Sequence, residues 1–171
     1  MDLVDTLKKT ARQAGETIIG PKAGDILDSL KKDHDEVGEM LKTLVASESA
    51  SERRGPVKRI KKALVPHIKA EQSVVYDAVL KLKDTEAKRD GEEGYIEHKL
   101  AAETLLLLGK ISNTLSPEFS AAAKVLKELV EHHVKEEEDS IWSDVRENFS
   151  DKTRAEMNRR FEAAKKRVKV T

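Results

Sequence analysis

The chain has 171 residues, of which 38% are hydrophobic, 37% are charged and only 4% are aromatic. That length is enough for one domain with a buried core, and the composition is typical of amphipathic helices rather than strands. Lysine plus arginine (32) balances aspartate plus glutamate (32), so no overall field attracts nucleic acid or an anionic membrane, and the lack of cysteine excludes disulfides, thiolate metal sites and cysteine nucleophiles.

The sequence carries no targeting or membrane signal that we recognise. The first fifteen residues lack the apolar core of a signal peptide. The longest purely apolar run near the middle, Leu105–Leu108, is far too short to cross a bilayer. We therefore expect a soluble, cytoplasmic protein that binds neither membranes nor nucleic acid.

Breaker residues divide the first half of the chain into segments whose apolar residues recur at three- and four-residue steps. Residues 1–20 predict a short amphipathic helix, and the turn Gly20–Asp25 separates it from a second helix. That second helix ends in the polar run 46–56. Pro56 suits the first turn of a third helix, which reaches to about Leu82.

The second half of the chain predicts three more helices. After a polar connection, a fourth helix begins at about Glu92. Ser116 fits the N-cap of a fifth helix, with Pro117 in its first turn, and this helix runs to about Phe149. Ser150 can cap a last helix, whose basic end suits the helix dipole. One apolar face of that helix predicts packing against the rest of the protein rather than binding to nucleic acid or a membrane.

These elements predict an all-α fold. No segment alternates with period two for long enough to form a strand. The four long helices, joined by short connections, predict an antiparallel up-down four-helix bundle over residues 22–149. The N-terminal helix (1–20) and the C-terminal helix (150–171) would pack outside this bundle.

Two stretches, PHIKAEQSVVY from Pro66 and HHVKEEEDSIW from His132, carry the same pattern. In each one a histidine is followed four residues later by a glutamate, His67 by Glu71 and His133 by Glu137. Residues at i and i+4 lie on one face of a helix, so each pair can bind one metal ion or two neighbouring ones. Both pairs lie in apolar stripes, where a polar group costs several kcal/mol unless it is paired or metal-bound.

The other two long helices each add one histidine to an apolar stripe. His34 lies between Leu30 and Val37, and His98 lies between Tyr95 and Ala102. Each half of the predicted bundle is thus a helix with one histidine followed by a helix with the histidine–glutamate pair. Four imidazoles and two carboxylates can therefore meet at one central point, as two similar half-sites for two metal ions.

The order of these elements resembles that of hemerythrin-like (HHE cation-binding) domains. The flanking segments LKKDHDEV, PHIKAEQSVVY, EHKLAAE and HHVKEEEDSIW resemble that family as well, and the resemblance covers about residues 22–149. It implies a centre of two non-haem irons inside a four-helix bundle, with an oxo or hydroxo group between the irons. Glu71 and Glu137 would bridge the two irons, His34 and His67 would bind one iron, and His98 and His133 would bind the other.

The sequence departs from the oxygen-carrying members of that family at one ligand position. Those proteins have a second histidine one turn after the histidine of the third bundle helix, and here that residue is Ala102. The departure argues against simple reversible oxygen carriage. Tyr95 and Glu103 are the nearest residues that could serve as an extra ligand or hydrogen-bond donor.

Several polar and aromatic residues near these ligands are expected to be solvated or to pack, rather than to bind metal. Helical phase assigns His133 to the inward face and His132 to the outside, where it is solvated or supports the ligands from behind. We expect Tyr76 and Trp142 to close the bundle. The remaining acidic neighbours are expected to be solvated surface residues: Asp33, Glu36, Glu97, Glu136 and Glu138.

Imidazole and carboxylate ligands suit iron, with manganese or zinc as substitutes. One function class is a module that binds oxygen, nitric oxide or peroxide, in sensing, storage or defence against oxidative and nitrosative stress. Another is a di-iron redox enzyme that turns over peroxide or nitric oxide, and a third is an iron storage or donation protein. A bundle in which the metal has only a structural role is a fourth, and either a monomer or a homodimer is compatible with the sequence.

Overall fold

The structure, a computed structural model, describes residues 24–170. In this range the chain forms helices and turns and contains no strand, which confirms the all-α prediction. The predicted N-terminal helix, residues 1–20, lies outside the described residues. None of the helices within the described range is both long enough and apolar enough to cross a membrane.

Seven α-helices and two π turns form the described part of the chain. The π turns, Gln72–Tyr76 and Glu137–Ile141, continue the helices that precede them without a break. The α-helices are α1 (Ile26–Ala46), α2 (Ala50–Glu71), α3 (Asp77–Val79), α4 (Thr85–Lys110), α5 (Pro117–Glu136), α6 (Trp142–Asn148) and α7 (Asp151–Arg167).

Side-chain caps fix where the helices begin. Ser116 and Ser150 accept hydrogen bonds from backbone N–H groups at the starts of α5 and α7, as predicted. α2 begins earlier than predicted because Ser49 caps it, which leaves Pro56 inside the helix. α4 also begins earlier, because Asp84 accepts from the second and third backbone N–H groups of that helix.

The first two turns of α4 escaped prediction because small residues, Ala87 and Gly91, take the place of large apolar side chains on their inner face, and Gly94 follows one turn later. Gly91 and Gly94 are both buried. A Cβ atom at Gly91 would lie 3.3 Å from the Leu80 side chain, and one at Gly94 would lie 2.7 Å from the Tyr76 ring. The neighbouring helix therefore packs against bare backbone here, and this packing gives no apolar periodicity in the sequence.

The long helices contact one another in a ring: α1 packs on α2, α2 on α4, α4 on α5, and α5 on α1. These are the contacts expected in a four-helix bundle, and we call α1 to α6, with the two π turns, the four-helix core. α7 packs on α1 and α2, and buries Met157 and Phe161 there. The C-terminal helix thus uses its apolar face for packing on the four-helix core.

Apolar side chains form two clusters inside the protein. One includes Ile26, Leu30 and Phe161, and the other includes Leu41, Leu44 and Leu126. In α1, His34 lies between the residues of the first cluster and those of the second. The histidine–glutamate motifs occupy the same intermediate level in α2 and α5, so a polar layer separates the two apolar regions.

Candidate metal centre

The six predicted ligands are buried together in this polar layer. Both carboxylates are at most 1% exposed and no imidazole exceeds 6%. We call this set the six-residue cluster: His34, His67, Glu71, His98, His133 and Glu137. The i, i+4 spacing therefore directs both members of each motif inward, because the two residues share one helix face.

Each carboxylate of the cluster contacts two histidines. Glu71 Oε2 lies 3.1 Å from His67 Nε2 and 3.4 Å from His98 Nε2. Glu137 Oε2 lies 3.3 Å from His34 Nε2 and 3.6 Å from His133 Nε2. Each glutamate thus reaches its own motif's histidine and the single histidine of the next helix round the ring.

The imidazoles themselves form two close pairs. The ring centroids of His34 and His67 are 5.0 Å apart, and those of His98 and His133 are 4.5 Å apart. Centroid distances between the pairs are longer, at 6.2 Å and 6.3 Å. Each carboxylate therefore contacts one member of each pair, which is the position that a bridging ligand needs.

Several polar atoms of the cluster have no hydrogen-bond partner among the described residues. They include both oxygens of Glu71, both oxygens of Glu137 and both ring nitrogens of His34. Imidazole nitrogens lie 3.1–3.6 Å from the Oε2 atoms, but a buried carboxylate that lacks hydrogen bonds still costs several kcal/mol, which a bound cation offsets. The residues present therefore fit a metal site.

The ligand atoms are close enough together to hold cations. One group consists of His34, Glu71, His133 and Glu137, and the other of His67, Glu71 and His98. Within each group one ligand atom of every residue lies within 4.8 Å of the others. Glu71 belongs to both groups, so the set can serve two metal ions that share a carboxylate.

Two acidic residues that we predicted to be on the surface instead contact cluster histidines. Asp33 Oδ2 lies 3.1 Å from His67 Nδ1, and Glu97 Oε2 lies 2.8 Å from His133 Nδ1. The prediction was wrong because a residue about 100° round the helix from an inward histidine faces the neighbouring helix, not only solvent. The sequence did contain a signal for these contacts, because an acidic residue directly precedes both His34 and His98.

Glu138 also departs from the solvated position that we predicted. Its Oε1 atom is 3.5 Å from His34 Nδ1, and its side chain is 27% exposed. Glu36 and Glu136 are exposed, as expected. His132 is largely exposed and contacts Glu97 at 3.3 Å, so it lies behind the residue that contacts His133.

The two residues considered as substitutes for a fifth imidazole do not reach the cluster. The Tyr95 hydroxyl donates to Asp77 Oδ1 at 2.7 Å and also lies 3.2 Å from the Gln72 carbonyl oxygen. Glu103 is exposed. Ala102 packs with the second apolar cluster, so neither of the two substitutes nor Ala102 itself supplies a fifth nitrogen or oxygen ligand.

Tyr76 and Trp142 lie against the cluster, which sequence reasoning underestimated. The Tyr76 ring stacks on His98 with a centroid distance of 5.1 Å, and the Trp142 ring stacks on His34 at 5.9 Å. The π turns explain this placement, because a π turn brings residues i and i+5 towards one face. Tyr76 is five residues after Glu71, and Trp142 is five after Glu137.

Without a bound cation, the cluster holds its histidines in different protonation states. Burial by itself would lower the pKa of His67, but the Glu71 and Asp33 carboxylates outweigh burial and raise this pKa to about 10. Burial dominates at His98 and lowers its pKa to about 4. Burial and the charge of Glu71 together raise the pKa of Glu137.

A small cavity of about 10 Å³ adjoins the histidines. Its lining includes His34 and His98 on the polar side, and Leu64, Ala101 and Val130 on the apolar side. That volume is close to the space that one water molecule needs. The cavity can therefore hold a ligand about the size of a water molecule and is too small for a bulky organic substrate.

Comparisons with known proteins place this chain in a family. It is 27% identical over 144 residues to a DNA nickase from Nostoc sp. (strain PCC 7120 / SAG 25.82 / UTEX 2576), and the match covers 84% of this chain but only 40% of that relative. No solved structure matches the chain. The family model for the hemerythrin HHE cation-binding domain matches residues 25–144, which include the whole six-residue cluster. The chain therefore belongs to the hemerythrin HHE cation-binding domain family.

Proposed function

We propose that the six-residue cluster holds two iron ions and that this centre binds or reacts with a small ligand: oxygen, nitric oxide or peroxide. The observation that carries the proposal is the set of buried carboxylate oxygens on Glu71 and Glu137, which have no hydrogen-bond partner among the described residues. Mixed imidazole and carboxylate ligands suit iron, and manganese or zinc are possible substitutes in the same site. When bound, the iron pair would supply reversible electron transfer to a small ligand.

The chain's own residues would share this work. His34 and His67 would bind one iron, His98 and His133 the other, and Glu71 and Glu137 would bridge them. The short ring distances within the two imidazole pairs, 5.0 Å and 4.5 Å, support this assignment, as do the contacts of each carboxylate with one member of each pair. The ligand-atom groups described above pair His34 with His133 and His67 with His98 instead, and we give more weight to the ring distances. Asp33 and Glu97 would orient His67 and His133 by accepting hydrogen bonds from their Nδ1 atoms.

The surroundings of the cluster favour a small ligand. The adjoining cavity of about 10 Å³ is lined in part by apolar residues, so a very small uncharged molecule fits it best. The rings of Tyr76 and Trp142 cover His98 and His34 and exclude bulk water from the other side. A water-excluding site favours long-lived adducts over leakage of reactive products.

DNA nicking is the activity named for the Nostoc relative, and we do not extend it to this chain. The chain spans only 40% of that relative's length. The cluster residues are at most 6% exposed, so a DNA backbone could not reach them without opening the helices. That the chain binds no nucleic acid remains a prediction.

Metal analysis of the protein purified after iron-supplemented expression tests the proposal. We expect about two irons per chain, and we expect Glu71→Gln to lose most of this iron because the change removes a shared carboxylate. Glu103→Gln, an exposed glutamate on α4, is the matched control and should keep its iron. Wild-type protein without any transition metal would refute the proposal.

Spectroscopy then separates a binding protein from an enzyme. The reduced protein is mixed with oxygen, nitric oxide or peroxide, and its near-ultraviolet and visible bands are followed. A long-lived adduct that reverses under argon would identify a binding function. Repeated consumption of peroxide or nitric oxide without loss of protein would identify catalysis.

A further inference from the structure

A strongly acidic cavity lies beside the cluster, on the α4 and α5 side. Its volume is about 230 Å³, and one guanidinium, that of Arg89, faces the six carboxylates that line it. Arg89 pairs with two of these, Glu86 and Asp90, at 3.1 Å each. The lining carboxylates are Glu86, Asp90, Glu93, Glu97, Glu136 and Glu137.

This cavity connects exposed residues with a buried cluster ligand. Glu93 and Glu136 line it and are exposed, so we take them as its mouth. Glu137 lines the same cavity but is only 1% exposed, and neither of its oxygens has a hydrogen-bond partner among the described residues. A buried carboxylate that has no hydrogen bond and lines an acidic cavity is a position that attracts a cation.

Glu97 is a carboxylate that lines the cavity and also contacts the cluster ligand His133. Its side chain is 13% exposed, and its two oxygens contact His133 Nδ1 at 2.8 Å and His132 Nε2 at 3.3 Å. Asp144, which is not part of the lining, also lies in this negative field. Burial and the charges of Asp90 and Asp84 raise its pKa. The field at this face therefore favours a divalent cation.

The corresponding face of the other half already carries positive charge. There Asp33 occupies the position of Glu97, and the Lys165 ammonium of α7 lies 2.6 Å from Asp33 Oδ2. An approaching cation would meet this ammonium and the Phe161 ring beneath it. The two halves of the four-helix core thus resemble each other in their ligands but differ in how a metal ion can reach them.

We propose that the acidic cavity beside Glu137 is a binding and entry site for a divalent transition-metal ion, which passes from Glu93 and Glu136 through Glu97 to the cluster. This inference rests on the proposed metal centre, because an entry route is useful only if the cluster binds the metal ion. It adds a function for residues that are not cluster ligands. The bound species at the mouth is the aquated divalent ion, held by carboxylates.

A second cavity supplies the competing route. It has a volume of about 430 Å³, includes His34 in its lining, and combines five acidic residues with Lys42 and Lys135. Lys42 already pairs with Glu39 at 2.7 Å. Its balance of charge is less negative, so we expect slower cation entry there. Glu39 and Glu131, both exposed residues of this lining, provide the matched control.

Rapid mixing of the metal-free full chain with cobalt(II) tests the route. Trp142 is the single tryptophan of the chain and stacks on His34, so its fluorescence reports arrival of the ion at the cluster. In the double variant Glu93→Gln with Glu136→Gln we expect the bimolecular loading rate to fall about tenfold at low salt. The final number of ions per chain should stay at the wild-type value. Added salt should reduce the difference in rate.

The loading rates of the control variant and of the wild type decide how the result is interpreted. The double variant Glu39→Gln with Glu131→Gln should load at the wild-type rate. Equal rates for wild type and Glu93→Gln with Glu136→Gln would overturn the entry route, as would an equal or larger slowing in the control. Wild-type protein that binds no cobalt or iron at equilibrium would instead refute the proposed metal centre itself.

Discussion

Lys165 on α7 places its ammonium 2.6 Å from Asp33 Oδ2, the same oxygen that lies 3.1 Å from His67 Nδ1. The last helix follows the segment that matches the family. It is linked to the cluster ligand His67 through the Asp33 carboxylate, which contacts both Lys165 and His67. Phe161 of the same helix lies with its ring 5.8 Å from the His67 ring. α7 therefore fixes the orientation of His67 from outside the four-helix core.

Asp33→Asn should weaken metal binding without removing a ligand. An amide accepts a weaker hydrogen bond from His67 Nδ1, so the imidazole becomes a poorer and less well oriented ligand, and we expect metal affinity to fall about tenfold or more. Competition with a chelator of known affinity measures the change. Asp35→Asn, an exposed aspartate two residues away that pairs with Lys31, is the control and should leave affinity unchanged.

Gly94→Ala should destabilise the protein. The new Cβ atom would lie 2.7 Å from the rigid Tyr76 ring, which is fully buried, so the helices must separate or the ring must move. We expect a loss of about 1–3 kcal/mol in the free energy of unfolding from this overpacking. Urea denaturation measures it.

Gly38→Ala is the matched control for that substitution. Gly38 is also inside a helix, but its added Cβ would have no neighbour within 4 Å among the described residues. Alanine favours helix by about 1 kcal/mol over glycine, so this variant should be more stable than the wild type. If Gly94→Ala were equally stabilising, the close contact with Tyr76 would not exist in solution.

The metal-free protein should lose stability as the solution becomes alkaline. His67 has a pKa of about 10 in the folded chain against an ordinary value of 6.5, because Glu71 and Asp33 favour its charged form. A raised folded-state pKa contributes stability that is complete below pH 6.5 and is lost as the pH rises towards 10. Thermal unfolding midpoints between pH 6.5 and 10, in a chelating buffer, measure this slope. A flat profile would contradict the charged pair, and Asp33→Asn should give a shallower one.

Glu137→Gln should stabilise the metal-free protein but weaken its metal binding. In the metal-free protein burial and the nearby charge of Glu71 raise the pKa of Glu137, so its ionised form is unfavourable there. A neutral amide removes that repulsion, and we expect the metal-free variant to gain about 1–3 kcal/mol in unfolding free energy at pH 8. The same variant should lose most of its iron.

Glu136→Gln, at the exposed neighbouring position, is the control and should change stability by less than about 0.5 kcal/mol. Denaturant titrations of the metal-free proteins at one pH provide the comparison. A Glu137→Gln variant less stable than the metal-free wild type would show that the carboxylate is stabilised by something other than a cation.

The sequence by itself determined which residues face inward. Local rules suffice for this, because the period of the α-helix sets the faces and short polar side chains cap the ends. The i, i+4 spacing therefore predicted the burial of His67 with Glu71 and of His133 with Glu137, and Ser116 and Ser150 predicted two helix starts. The prediction failed at the start of α4, where small residues, Ala87, Gly91 and Gly94, stand on the inner face in place of large apolar side chains.

Only the tertiary structure decided which groups meet across helices. Asp33 and Glu97 contact His67 and His133 because neighbouring helices are rotated to face each other, and helical phase alone does not specify that rotation. The π turns shift the phase of everything after them, which is why Tyr76 and Trp142 lie on the cluster. The position of α7 over Asp33 likewise depends on long-range packing, since Lys165 is 132 residues away along the chain.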